Sequence, residues 1–172
     1  STVGLHENQE PFLVRLYFLG DGYRTANTLR QEWIVNVSNT KDAPWVFSVS
    51  YGDDEDSLEV NYMRRISAEF MKAGVRGISI LVASGDSGAS CNRNETAFGP
   101  SFPPTSPYVT AVGGTAFDNP LTDTEFCNSI SGGGFSNIFA APDYQKAAIS
   151  AYLGNKSHHI PTQKMFNATG RA

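Results

Sequence analysis

Trp45-Val46-Phe47-Ser48-Val49, with Pro44 before it and Gly52 after it, is a short apolar run rich in β-formers. It reads as a buried strand. The acidic cluster Asp53-Asp54-Glu55-Asp56-Ser57 follows, where carboxylates suit the start of a helix by meeting free backbone N–H groups and opposing the dipole. Leu58, Tyr62, Ile66 and Phe70 then recur at four-residue spacing with Met63 alongside, one apolar stripe on a helix, while Arg64, Arg65 and Glu69 lie off it. Gly74 or Gly77 ends that helix, and Ile78-Ser79-Ile80-Leu81-Val82-Ala83 is a second buried strand. Strand, helix, strand makes a βαβ unit with parallel strands, so the fold class is α/β. Ligands of open parallel sheets bind beyond the carboxyl ends of the strands. Two small, polar, glycine-bearing loops leave those ends: Ser50-Tyr51-Gly52 and Ser84-Gly85-Asp86-Ser87-Gly88.

Outward from this unit, Tyr108-Val109-Thr110-Ala111-Val112 is expected as a further strand, stopped by Gly113-Gly114. The four prolines between Pro100 and Pro107 force irregular backbone before it. Pro142 opens a helix with Tyr144, Ala147, Ala148, Tyr152 and Leu153 expected toward the core, closed by Gly154. Ser131-Gly132-Gly133-Gly134-Phe135-Ser136 is a glycine loop. Pro11 to Leu19 suits helix or strand equally, and no internal repeat is evident.

The 172 residues suffice for one globular core, and a 40% hydrophobic, 17% charged composition argues against disorder. A net charge of −4 without any basic block makes nucleic acid an unexpected partner. No apolar run approaches the ~18 residues of a membrane span. The sequence starts at Ser1 without a leader-like segment, as expected of a processed product or a piece of a longer chain. Sequons at Asn36, Asn94, Asn155 and Asn167 are a mild excess over chance and suggest the secretory route. Cys91 and Cys127 could pair with each other or with cysteines elsewhere; two cysteines alone do not suggest a metal site.

Gly85-Asp86-Ser87-Gly88 invites comparison with the nucleophile loop of chymotrypsin-like proteases. That fold is all-β, whereas this loop follows a helix and a parallel strand, and Ala89 stands where that motif's fifth residue, a glycine, would be. A triad also needs a histidine base, and His6, His158 and His159 sit in no recognisable base motif. Ala89 also breaks the Gly-x-Ser-x-Gly elbow. No Gly-x-Gly-x-x-Gly turn or phosphate-loop lysine supports a nucleotide site. The tetrapeptide alone could be no more than a tight turn.

Four longer motifs decide among these readings. Phe47 to Leu58, Ala83 to Ala89, Ser106 to Thr115 and Ile130 to Asn137, together with Phe166 to Ala172, resemble the sedolisin family of serine-carboxyl peptidases in content and order. The resemblance covers about Trp33 to Ala172 and, more weakly, His6 to Leu13. It implies a three-layer, subtilisin-like parallel sheet with flanking helices, here partial. It further implies an acid peptidase releasing tripeptides from amino ends, placed in the lysosome, with peptide or protein as its substrate. The family uses a serine nucleophile, a glutamate base and an aspartate that orients it. A second aspartate, matching Asp86, serves the oxyanion hole. That role requires a protonated carboxyl, since a carboxylate cannot donate a hydrogen bond. The usual aspartate pKa of ~3.9 then calls for acid conditions, burial or a neighbouring carboxylate.

Ser50, Tyr51 and Gly52 are implied to pair with substrate backbone as an added strand. Asp53 or Asp54 is a candidate anchor for the substrate's free amino end, with helix capping as the plainer role of both. Ser84, Gly85, Gly132 and Gly133 would line the cleft. The family's Glu-x-x-x-Asp is expected upstream of this chain and its Gly-Thr-Ser downstream; Glu7-x-x-Glu10 has the wrong spacing to substitute. The chain alone is therefore expected to be inactive. Calcium belongs to the full-length family domain and is not expected on the residues present. Cys91 matches a family cysteine whose partner is expected beyond this chain, while Cys127 matches none. Residues 14–30 have no counterpart and read as a surface insertion or, preferentially, an unspliced intron. The rival reading is a non-catalytic sedolisin-like domain that only binds peptides.

Overall fold

The computed structural model describes residues 26–91, 96–119, 124–155 and 160–172, with backbone alone for 26–30. Pro11 to Leu19, Glu7, Glu10, Asn94, the three histidines and most of the 14–30 stretch lie outside them. Residues 26–30 open helix α1 (Ala26–Asn39).

Strands β1 (Val46–Val49), β3 (Ser79–Ala83) and β5 (Thr110–Val112) form a parallel sheet in the order β1-β3-β5. Helix α2 (Val60–Val75) joins β1 to β3, as the apolar pattern requires. Tyr62, Met63, Ile66 and Phe70 of its stripe are buried against Phe47, Val49, Ile80 and Val82. Leu58 of the same stripe is half-buried and precedes the helix. Helix α1 packs beside α2 and reaches the same sheet face, its Trp33 ring meeting Phe47 edge-on at 5.7 Å. Both helices thus cover one face. The opposite face, with Val46 and Val112, is exposed among the described residues. The strands alternate exposed and buried, where the apolar runs had suggested burial on both faces.

The end of α2 shows why the chain turns there. Gly77 takes φ 85, a left-handed conformation that side chains disfavour. Its N–H donates to Gly74 O at 2.9 Å and that of Ile78 to Ala73 O at 3.0 Å, closing a Schellman motif. Arg76, at the cap, donates to Val37 O (2.9 Å), Ser38 O (2.6 Å) and Thr40 O (2.6 Å) at the carboxyl end of α1. One guanidinium thereby satisfies carbonyls that helix geometry leaves open and opposes the negative end of that helix. Arg76→Ala is expected to lower stability by about 1–3 kcal/mol, read as a lower denaturation midpoint without loss of helix content beyond α1.

The acidic cluster departs from expectation. Asp53 and Asp54 form β2, antiparallel to β4 (Ser101–Phe102), and Glu55–Ser57 make a 3-10 turn. Helix α2 starts later, behind Glu59, with no side-chain cap. None of the carboxylates caps it, because the chain is first drawn to the Ser101 strand, where Glu55 N–H meets Pro100 O at 2.9 Å. Strands β6 (Thr115–Ala116) and β7 (Phe126–Cys127) form a separate hairpin. Helix α3 (Asp143–Gly154) follows Pro142 as expected, but its burial does not. Only Ile149 is buried; Tyr144 is 68% exposed and Tyr152 45%. Ala147 and Ala148 are exposed and Leu153 half-buried. The helix leans on Phe135 through Tyr152 and on Pro107 O through the Tyr144 hydroxyl, instead of lying on the sheet. Among the described residues, no helix is long and apolar enough to cross a membrane.

Candidate active site

Both loops singled out beyond the strand ends meet in one cleft. It has a volume of about 660 Å³ and is bordered by Ser50, Tyr51, Gly52, Asp53, Asp54, Ser57, Gly85, Asp86, Ser87 and Ser101. Parallel pairing of β1 with β3 places these loops side by side at the carboxyl ends. Asp86 is exposed at the tip of its loop, on the Tyr51 side. Gly85 (φ 113) and Gly88 (φ 60) flank the turn that presents it. Asp53 and Asp54 add two more carboxyls to the same cleft. Both pair with β4, which fixes the backbone just after Ser50 to Gly52.

The glycine loop closes over the base of the Asp86 loop. Gly132 N–H donates to Gly85 O at 2.8 Å, and Gly88 N–H to Ile130 O at 2.9 Å. A Cβ on Gly132 would stand 2.1 Å from Ser84 O, so this approach needs glycine. Gly132→Ala is expected to push the loop off Gly85 and cost about 1–3 kcal/mol, measurable as a lower melting temperature. Ser84, Gly132 and Gly133 do not line the cleft itself; they border an adjacent cavity of about 240 Å³. Ser101 borders both spaces.

Sequence reasoning missed the residue that ties these walls together. Glu55 is 3% exposed. Its Oε1 accepts the Ser136 hydroxyl at 2.5 Å and its Oε2 the Asn137 N–H at 2.9 Å. Ser136 Oγ in turn accepts the N–H groups of Ile138 (3.1 Å) and Phe139 (2.9 Å). Every donor and acceptor of that hydroxyl is engaged, which is what makes a buried polar group tolerable. Four acidic residues in a row offered no signal of which one turns inward.

Among the sequon asparagines, Asn36 and Asn155 are exposed. Asn167 is half-buried, with Nδ2 donating to Ser136 O at 2.8 Å and Oδ1 accepting from Thr169. Cys91 and Cys127 are exposed and free, not bonded to each other. Among the described residues, no group of three or more His, Cys, Asp or Glu side chains could hold a metal ion.

No family model matches the chain. Over its whole length it is 48% identical to tripeptidyl-peptidase 1 of Bos taurus, aligned across 177 positions. It is 47% identical to that of Mus musculus and 46% identical to that of Homo sapiens. In each case the chain spans 28% of the relative's length. Among solved structures, it resembles Pseudomonas sedolisin, a serine-carboxyl proteinase complexed with two molecules of pseudo-iodotyrostatin. The TM-score is 0.60 at 25% identity, covering 72% of this chain and 38% of that one.

Proposed function

The chain belongs to the sedolisin family of serine-carboxyl peptidases, and from that premise we propose that the longer protein is an acid peptidase releasing tripeptides from the free amino ends of polypeptides. The observation that carries this reading is the exposed Asp86, in one cleft with Ser50 to Asp53 at the carboxyl end of the parallel sheet. In this reading the chain supplies one catalytic group and most of the peptide cradle. The serine nucleophile, its glutamate base and the orienting aspartate come from other parts of the longer protein, so this chain alone is inactive.

The chemistry proceeds as follows. The serine oxygen adds to the scissile carbonyl as the glutamate takes its proton. The carbonyl carbon becomes tetrahedral and its oxygen gains negative charge. Asp86, protonated, donates a hydrogen bond to that oxygen and stabilises it more than the planar ground state. Ser50 to Gly52 hold the peptide extended, and Ser84, Gly85, Gly132 and Gly133 shape the wall behind the Asp86 loop. Because the donor exists only as the neutral acid, turnover belongs to an acidic compartment, and the sequons agree with delivery through the secretory route to the lysosome. Calcium, implied by the family, is assigned to other parts of the longer protein, and no step is assigned to it.

Tripeptide release also requires a counter-charge for the substrate's ammonium, and Asp53 is the residue we assign. The longer protein is expected to liberate tripeptides at acid pH from peptides with a free amino end and not from acetylated ones. Asp53→Asn should shift its products toward internal cleavage; an unchanged ratio leaves Asp53 as a residue of β2 alone. If neither peptide is cut but both bind, the domain is a peptide-binding relative without activity.

A further inference from the structure

We propose that the cavity under the glycine loop is a carboxylate-binding site with Arg171 as its receptor. The guanidinium belongs to a residue only 5% exposed. One Nη donates to Val109 O at 3.2 Å, while the Nε–H meets no acceptor among the described residues. The Oγ1 of Thr105, also 5% exposed, and the Oγ of Ser84 are likewise buried without a partner. Ser84, Thr105 and Arg171 all border the same space of about 240 Å³. The remaining unpartnered buried side-chain atoms among the described residues, on Trp33 and Ser38, belong to α1 and border no part of it. Three separate segments of chain therefore bring an unmatched polar group to one cavity.

Charge decides what the cavity takes. Arginine keeps its proton in proteins. Burial pushes the Arg171 pKa down, with the charge and hydrogen bond of the Tyr144 phenol opposing the shift. The ion pairs found among the described residues join Lys72 to Glu69 and Lys146 to Asp143, not Arg171 to an acid. A buried cation without a counter-ion is costly, by several kcal/mol. A neutral amide or a water would satisfy the Nε–H and leave the charge. A carboxylate answers both needs, one oxygen accepting from the guanidinium and the other from the two hydroxyls.

Two sources share this chemistry. Since Ser101 borders both cavity and cleft, an acidic side chain of a bound peptide can reach in; equally, an Asp or Glu of the longer protein outside the described residues can fill the site. The test uses the full-length protein. Its crystal structure, with and without an acidic peptide, reports what lies within hydrogen-bond distance of Arg171 Nε. In parallel, kcat/KM is compared for peptide pairs differing only in Asp against Asn or Glu against Gln, at the highest pH that still supports turnover. A peptide source is expected to give a preference of about tenfold or more for the acid, lost in Arg171→Gln. An internal source is expected to give no preference, and a carboxylate of the protein itself on Nε. Only water or a carbonyl there, in both structures, would overturn the proposal. The structural arm stands even if the protein proves inactive, so failure of the peptidase reading and failure of this one are separable.

Discussion

Replacing Asp86 by alanine in the full-length protein is expected to lower kcat at acid pH by about 10²–10³-fold with little change in KM. The loss falls on kcat because the donor acts on charge that exists only in the transition state. The substitution should fold normally, since Asp86 is exposed at a loop tip and the flanking backbone is held by the Gly132–Gly85 and Gly88–Ile130 hydrogen bonds. An unchanged melting temperature with the full kinetic loss separates chemistry from folding. Turnover close to that of the parent would remove Asp86 from the mechanism.

The second large effect is expected at Glu55, and it is one of stability. Ser136 uses both lone pairs on Ile138 and Phe139 and its only proton on Glu55, while Asn137 offers its N–H as a second donor to the same carboxylate. Two donors converge on this side chain, so both of its oxygens must accept. Glu55→Gln puts an NH2 against one of those donors, and Glu55→Ala leaves both without an acceptor. Each unsatisfied buried group costs about 1–3 kcal/mol, so a loss of about 3–5 kcal/mol is expected for either variant. Glu55→Asp restores charge but falls a methylene short and should recover little. Since Ser136 follows the glycine loop that closes on Gly85, partial opening of the cleft should accompany the loss, visible as faster amide exchange from Gly132 to Asn137. Exchange unchanged there, with a stability loss under about 1 kcal/mol, would show that the network is dispensable.

The parts of this fold that could be read in advance were those where one residue pattern has one physical outcome. The apolar runs ending at Val49 and Ala83, separated by the stripe of Tyr62, Met63, Ile66 and Phe70, can bury together only as parallel strands under a helix, and they do. Because parallel strands carry their loops on one edge, the meeting of Tyr51 with Asp86 was legible as well. What failed depended on contacts far away in sequence. Asp53 to Asp56 looked like a cap because local chemistry favours acids there, but pairing with Ser101 and Phe102 claimed the first two, and Ser136 drew Glu55 inward. Tyr144 and Tyr152 looked like a core face because they are large; α3 instead meets Pro107 and Phe135 and leaves most of its apolar surface outside. The Arg171 cavity was invisible for the same reason, being assembled from Ser84, Thr105 and the last residues of the chain.

The claim on which the account rests is that Asp86 acts as a neutral acid, and the pH profile of kcat addresses it most directly. The full-length protein and its Asp86→Asn variant would be compared from strongly acid to neutral pH. An amide donates whatever the pH, whereas a carboxyl stops donating as it ionises. The parent's kcat is therefore expected to fall on the alkaline side with loss of one proton, while the asparagine variant stays active through that range. Identical alkaline limbs in the two proteins would contradict the account.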